Sequence, residues 1–545
     1  MRAEGKNREP GNSSSLIPHP SSLAIAFVLG AVTVAGHAPF YIFPLPVAAL
    51  ALLFYLWQRA ANARAAAFVG FAYGLGLFLS GVSWVYVSLH DFGAMPAPLA
   101  MLATFLFCAF IAALPAAAGY ASARFDAPPA LKLSLAVPAI WTLSEWVRGW
   151  IFTGFPWLAA GYSQVPLSPL AGYAPVLGIY GVTLATAVTA GLIVVLGLRM
   201  ADRAQIAGRG VEEKESNKAE TSSSLIPHPS SLAPAIILLA LWAGGSGLKQ
   251  IAWTTPVGEP VTVSLLQGNI AQDFKWSGEG ARAALEAYRM LAGAASGRLV
   301  VLPETALPMF LDQVPPDYLG ELAARARGNG GDILVGVPER MAGGEYYNSV
   351  ISYGAAASQT YRKSHLVPFG EFIPLRPVLG WIVSVLAIPL QDFSRGGEEQ
   401  QPLEVAGQRV AVNICYEDAF GEEIIRQLPQ ATLLVNVSNV AWFGRSLAPW
   451  QHLQISQARA LETGRAMLRA TNTGVTAVID ARGEVVAAAP EYTTAVVSHT
   501  VQGYGGATPY VRWGNTALLA LCLAALAVAR WRRPAKRVPR PRKTL

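Results

Sequence analysis

The sequence predicts a multi-span α-helical membrane domain of about eight transmembrane helices, joined to an extracytoplasmic α/β layered domain. Three observations predict it. Of 545 residues, 53% are hydrophobic and only 14% charged, where a soluble domain carries about 25% charged residues, and the mean hydropathy is +0.37. The apolar residues are segregated: residues 23–200 form long apolar runs broken by short loops, 261–505 read as an ordinary globular domain, and 513–531 is a last apolar run. The basic residues gather in alternate loops. The same composition excludes intrinsic disorder, and three Cys in a long chain exclude a disulfide scaffold.

The N-terminal tail, 1–22, is basic (Arg2, Lys6, Arg8), and the first span is read as uncleaved. Six spans follow at about 23–38, 42–57, 66–88, 97–120, 133–150 and 171–198. The first two are short, and His37–Tyr41 between them predicts a tight hairpin. A linker at 201–233 and a seventh span at 234–251 come next, then the globular domain, the span 513–531 and a basic tail at 532–545. Trp513 and Trp531 flank the last span, as interfacial belts prefer. Glu145 and Arg148, three apart near the end of the fifth span, read either as a functional intramembrane pair or as scaffolding.

Lys and Arg decide the orientation. The loops holding Arg59 and Arg64, Arg124 and Lys132, and Arg199 to Lys218 lie on the side of both termini, whereas 38–41 and 89–96 carry none. The positive-inside rule makes the termini cytoplasmic and puts 261–505 outside. The net charge of +7 is then a topology signal near anionic lipid, and no nucleic-acid partner is expected. The segment SSSLIPHPSSLA occurs at 13–24 and again, identically, at 222–233. It reads as a duplicated insertion, so His19 and His228 inside it carry no functional weight.

Within 261–505, strand-like runs at 261–266, 299–302, 333–337, 349–353, 410–414, 433–437 and 476–480 alternate with helical spacing at 280–295, 317–327 and 451–462. Three strand ends carry reactive side chains: Glu304, Lys363 and Cys415. A thiolate is a nucleophile, a carboxylate can take its proton, and a fixed ammonium can offset an oxyanion. The set suffices for acyl transfer. Each residue alone also has a plain reading, as a helix cap, a solvated charge and a core Cys; Cys108 and Cys522, inside spans, are read as core. His452 lacks partners at metal-ligand spacing, so neither metal nor cofactor is expected. The Pro-rich apolar stretch 366–393 is long for a loop and reads as a lid.

At these residues the sequence resembles the carbon–nitrogen hydrolase (nitrilase) superfamily and, with its spans, the apolipoprotein N-acyltransferase family. The motifs are QGNIAQDFKW (267–276), LPETALP (302–308), YRKSHLVPFGEFIP (361–374), ICYED (414–418), AWFG (441–444), PWQH (449–452) and RATNTG (469–474), with SEWVRGWIFTGFPW (144–157) and GYSQ (161–164) in the membrane part. The resemblance implies a nitrilase-like αββα layered sandwich. In it Glu304 would be the general base, Lys363 the oxyanion stabiliser and Cys415 the nucleophile. Trp276, Glu371, Tyr416 and Glu417 would be supporting or substrate-binding residues. One departure is Val440, where the family often has Asp.

The implied reaction transfers a fatty acyl chain from a membrane phospholipid, through a Cys415 thioester, to the N-terminal amine of a diacylglyceryl-cysteine apolipoprotein. The implied setting is the bacterial inner membrane, and the chain is expected to act as a monomer. Two other readings stay open on the residues alone: a membrane-tethered amidase that hydrolyses a small amide, and a non-enzymatic scaffold.

Overall fold

The computed structural model describes residues 19–216, 229–374, 377 and 392–531. Most of the N-terminal tail, the middle of the linker with most of the second repeat copy, most of the expected lid and the basic tail 532–545 lie outside the described residues.

Helices occupy the apolar runs: Pro20–Thr33, Pro44–Arg59, Ala63–Gly81, Ala97–Arg124, Val137–Arg148, Ala174–Ser216, Pro229–Leu248 and Thr516–Trp531. Among the described residues, three stretches, Ala63–Gly81, Ala97–Arg124 and Pro169–Gln205, are long and apolar enough to cross a bilayer. A helix satisfies its own backbone polar groups, which hydrocarbon demands. Large apolar side chains such as Val28, Leu102, Phe110 and Leu239 point outward. Small residues set the packing inside. A Cβ on Gly30 would lie 1.9 Å from the Tyr73 carbonyl oxygen, and one on Gly76 2.0 Å from that of Phe27, so the first and third helices meet backbone to backbone.

Three runs differ from the expected continuous spans. The run 66–88 stops at Gly81, where the Trp84 indole takes up the freed Gly81 carbonyl at 3.0 Å. The run 513–531 breaks at Gly514 (φ 55), and Glu422 accepts the Asn515 N–H at 3.0 Å. The sixth helix continues through Ser216, into the expected linker, on a sequence rich in good helix formers.

The α/β domain stacks two six-stranded sheets between helices. A short pair, β1 (Thr255–Pro256) with β14 (Tyr504–Gly505), closes its ends. The first sheet has the order β13 (Ala495–Val501), β2 (Val261–Gln267), β3 (Leu299–Val301), β4 (Asp332–Arg340), β5 (Tyr346–Gly354), β6 (Thr360–Arg362). The second has the order β12 (Val485–Ala488), β11 (Ala477–Ile479), β10 (Met467–Thr471), β9 (Leu433–Ser438), β8 (Gln408–Ile414), β7 (Leu403–Val405). In each sheet three central strands are parallel, β2, β3 and β4 in one and β8, β9 and β10 in the other, and the outer strands are antiparallel.

Alternation builds the layers. Val261, Val263, Leu265, Val410, Val412, Ile414, Leu433, Val435 and Val437 fill the space between the sheets. Leu266, Val300 and Ile333 face the helices Gly278–Ala294 and Pro316–Gly328, while Ala411, Leu434 and Met467 face the helix Ala448–Thr463.

The helix Ala448–Thr463 is buried at every residue but Trp450 because its far side lies on the membrane helices. Its glutamines join the two parts. Gln451 accepts from the Trp84 and Trp157 indoles at 3.2 and 2.8 Å, Gln454 from the Ala38 N–H at 3.0 Å, and Gln457 from the Tyr41 hydroxyl at 3.1 Å. Glu462 accepts the Ile179 N–H at 2.5 Å, where the sixth helix restarts after Gly178 (φ 68). The loops touching the α/β domain are therefore those with almost no Lys or Arg.

Candidate active site

The three reactive side chains come from both sheets. Glu304 follows β3 and Lys363 follows β6, in the first sheet; Cys415 follows β8, in the second. The buried strands β3 and β8 fix the points from which Glu304 and Cys415 emerge, and Lys363 leaves the edge strand β6. Cys415 has φ 54, a conformation few non-glycine residues adopt, and it opens the turn Cys415–Ala419. It remains partly exposed while Ile414 and Tyr416 to Ala419 are buried. The Asn436 amide and the His452 Nε2 each donate to the Cys415 carbonyl at 3.1 Å.

Behind the turn lies a buried polar network. Asp418 accepts from His452 Nε2 at 2.7 Å and from the Ser456 hydroxyl at 2.5 Å, and Arg469 donates to Asn436 Oδ1 at 2.7 Å. Both neighbours of His452 Nε2 are acceptors, so that nitrogen carries the proton. Burial, with Arg469 adding to it against Asp418, holds the His452 pKa below its ordinary value, so the ring is neutral.

The charges converge on Lys363. Its Nζ lies 2.9 Å from Glu371 Oε1 and 3.3 Å from Glu304 Oε1. The Asn348 amide bridges the same two carboxylates, at 2.8 Å to Glu304 and 3.0 Å to Glu371. The Asn439 N–H donates to Glu304 Oε2 at 2.8 Å, and the Val367 N–H to Glu371 Oε2 at 2.8 Å. Glu371 is thus a direct partner of Lys363.

Burial raises the proton affinity of Glu304, but Lys363, Asn348, Asn439 and Lys275 outweigh it and hold the carboxyl below the usual range. Burial works against the Lys363 ammonium, and Glu371 and Glu304 more than reverse it. The Cys415 thiol is pushed up by burial and by the Glu304 carboxylate, against the pull of Lys363. At rest the carboxylate and ammonium are charged and the thiol keeps its proton.

Glu417 ties the second sheet to the segment carrying Lys363. Its Oε1 accepts from the Ser364 N–H at 2.7 Å, the Ser364 hydroxyl at 3.0 Å and the His365 N–H at 3.0 Å. Its Oε2 accepts from the Ile414 N–H at 2.7 Å and the Tyr361 hydroxyl at 2.9 Å. Tyr416 faces the membrane part: its hydroxyl donates to the Gly154 carbonyl at 2.7 Å, and its ring lies 6.4 Å from Trp157 and 5.0 Å from Phe420. Trp276 is half-buried after the turn Gln272–Lys275 and makes no hydrogen bond to the charged cluster; its indole N–H has no acceptor among the described residues. Val440 is buried against Gly474 and starts the turn Val440–Phe443.

Glu145 and Arg148 resolve as scaffolding. Glu145 accepts the Ala160 N–H at 3.0 Å and the Thr183 hydroxyl at 3.0 Å, and Arg148 donates to the Phe155 carbonyl at 2.9 Å. Together they fold the loop that presents Gly154 and Trp157. Sequence reasoning missed Asn348, Asn439, Lys275 and the Asp418–His452–Arg469 network. Lys275, His452 and Arg469 stand inside the quoted motifs; Asn348, in the middle of a strand, carries no such signal.

Two family models match the chain. That of the apolipoprotein N-acyltransferase N-terminal domain covers residues 29–192, and that of carbon-nitrogen hydrolase covers 262–510. Among curated relatives, the apolipoprotein N-acyltransferase of Nitrosomonas europaea is 53% identical, over 92% of this chain and 95% of its own length. Those of Chromobacterium violaceum and Methylococcus capsulatus are 43% and 42% identical, each over 94% of this chain and over 94% and 97% of their own lengths. With identity at that level along both parts of the molecule, the chain belongs to the apolipoprotein N-acyltransferase family.

Proposed function

We propose that this chain transfers a fatty acyl group from a membrane phospholipid to the N-terminal amine of a diacylglyceryl-cysteine apolipoprotein, through a thioester on Cys415. The observation that carries the reading is the buried Lys363, held between Glu304 and Glu371 and acting electrostatically on a strand-end thiol. The family and the apolar helices beneath the domain supply the membrane setting.

In the first half-reaction the Cys415 S–H proton passes to Glu304 as sulfur attacks the ester carbonyl. The Lys363 ammonium balances the oxyanion. Collapse expels the lysophospholipid alkoxide, which takes the proton back from Glu304, and leaves the thioester. In the second, the apolipoprotein amine attacks the thioester and gives its proton to Glu304. The thiolate leaves and is reprotonated from Glu304. Glu371 and Glu417 position Lys363 and Cys415, and Trp276 and Tyr416 line the approach of the substrates.

The domain at 261–505 stands outside the cytoplasm on a bundle of about eight spans, with both termini cytoplasmic. This orientation is supported by the contact of the basic-poor loops 38–41 and 149–165 with the α/β domain. One chain supplies every group used, which supports action as a monomer.

Incubation of the purified protein with phospholipid, digestion and mass spectrometry test the reading. A fatty-acyl mass on the peptide containing Cys415 is expected, with its transfer to a diacylated peptide amine outpacing release of free fatty acid. Cys415→Ala abolishes turnover and Cys415→Ser leaves almost none; wild-type turnover by Cys415→Ala would refute the mechanism. Fatty acid release that dominates transfer would identify a hydrolase instead.

A further inference from the structure

Lys275 is as deeply buried as Lys363, at 1% exposure, and the reaction above gives it no part. The segment that carries it leaves the end of β2, beside the parallel strand β3, and so arrives next to Glu304. The Lys275 Nζ donates to the hydroxyl of Thr305, the residue after Glu304, at 2.9 Å. Thr305 itself has φ 45. Gln272, one turn earlier, accepts from the Asn439 amide at 2.9 Å, and the Asn439 N–H donates to Glu304. The segment therefore reaches Glu304 from two sides. Helix Gly278–Ala294 seals it: a Cβ on Gly280 would lie 1.9 Å from the Phe274 carbonyl oxygen.

A buried ammonium whose hydrogen-bond partner is a neutral hydroxyl is costly unless a carboxylate lies near. Glu304 is that carboxylate. The cluster then balances: Glu304 and Glu371 are two anions, and Lys363 and Lys275 are two cations. The other charged or titratable groups acting on it are the Cys415 thiol, Arg469, which is paired with Asp418, and Glu417, which acts on Lys363.

Resting on the assignment of Glu304 as the base, we propose that Lys275 is a positioning residue that keeps Glu304 anionic, and so able to accept the thiol and amine protons, by completing the charge balance of the closed site. A neutral residue at 275 removes a cation from beside Glu304, raises its proton affinity and moves the acid limb of acylation to higher pH. The wild-type ammonium is itself pushed down by burial, to about 7, against the pull of Glu304. Above that pH the wild-type and neutral-variant profiles converge.

The test is rapid-quench acylation of the full chain in phospholipid micelles, read as acyl mass on the Cys415 peptide across pH. Lys275→Met and Lys275→Gln are expected to shift the acid limb upward by about one pH unit, the low end for a nearby opposite charge. That is about a tenfold slower acylation on the limb. Lys275→Arg keeps the wild-type limb. If both neutral variants fail to fold, Thr305→Val, which releases Nζ, decides by a smaller shift in the same direction. An unmoved limb overturns the inference, even where the rate falls equally at every pH, because that is the signature of a merely structural lysine. A wild-type protein that never carries acyl on Cys415 overturns the assignment of the base and this inference with it.

Discussion

Replacing Glu417 by Gln keeps the side chain's shape and removes one acceptor end. The carboxylate takes five hydrogen bonds from Ser364, His365, Ile414 and Tyr361. The amide can point its oxygen either way. With oxygen toward Ser364 and His365, the NH₂ faces the Ile414 N–H and the Tyr361 hydroxyl; the hydroxyl can turn to accept, but the N–H cannot. With oxygen toward Ile414, two backbone N–H groups lose their acceptor, so the first orientation prevails. It costs one charge-assisted bond and leaves one buried N–H unpaired, about 2–4 kcal/mol. The orphaned N–H is one residue before Cys415, and displacing a reacting group by about 1 Å costs about a hundredfold in rate. Glu417→Gln should therefore melt earlier in tryptophan-fluorescence scans and acylate about a hundredfold more slowly. A variant within about threefold of wild type would refute the idea that this carboxylate joins the two halves of the site.

Glu371→Gln removes an anion from beside Lys363, so Glu304 loses its proton more easily. The acid limb of acylation should move to lower pH, opposite to Lys275→Met, with an about tenfold slower plateau as Glu304 becomes a weaker base; an upward shift would contradict the charge count. Tyr416→Phe keeps the ring contacts and leaves the buried Gly154 carbonyl without its donor, at about 1–2 kcal/mol. Melting temperature and a several-fold slower transfer check it, and an unchanged melting point would mean that this hydroxyl does not hold the membrane loop.

The sequence makes legible whatever is local. The alternation of Val261, Val263 and Leu265 marks a strand with one face between the sheets, and the apolar runs mark the membrane helices. Glu304 and Cys415 can be found because each follows an apolar strand, and Lys363 because it sits in the YRK run after the next strands. What stays hidden depends on groups that meet only in the fold. Asn348 is an ordinary strand residue until β5 brings it under both carboxylates. The breaks at Gly81 and Gly514 escape because hydropathy averages over a window, whereas single hydrogen bonds, from Trp84 and to Glu422, end or restart the helix. Glu145 and Arg148 are ambiguous in sequence because a buried pair three apart looks alike whether it serves substrate or backbone.

The resting charges explain how the Cys415 thiol is kept waiting for its substrates. With the thiol pushed up and Glu304 held down, the proton belongs on sulfur until a carbonyl arrives. Moving it to Glu304 in the empty site would put the negative charge on a buried sulfur and discharge the carboxylate that pairs Lys363. When an ester carbonyl is in place, the charge leaving sulfur continues to the carbonyl oxygen, and Lys363, freed from full pairing with Glu304, can meet it. Each half-reaction then shifts a proton to Glu304 and a negative charge toward Lys363 without changing the net charge inside. A site that need not exchange charge with solvent is suited to lipid substrates.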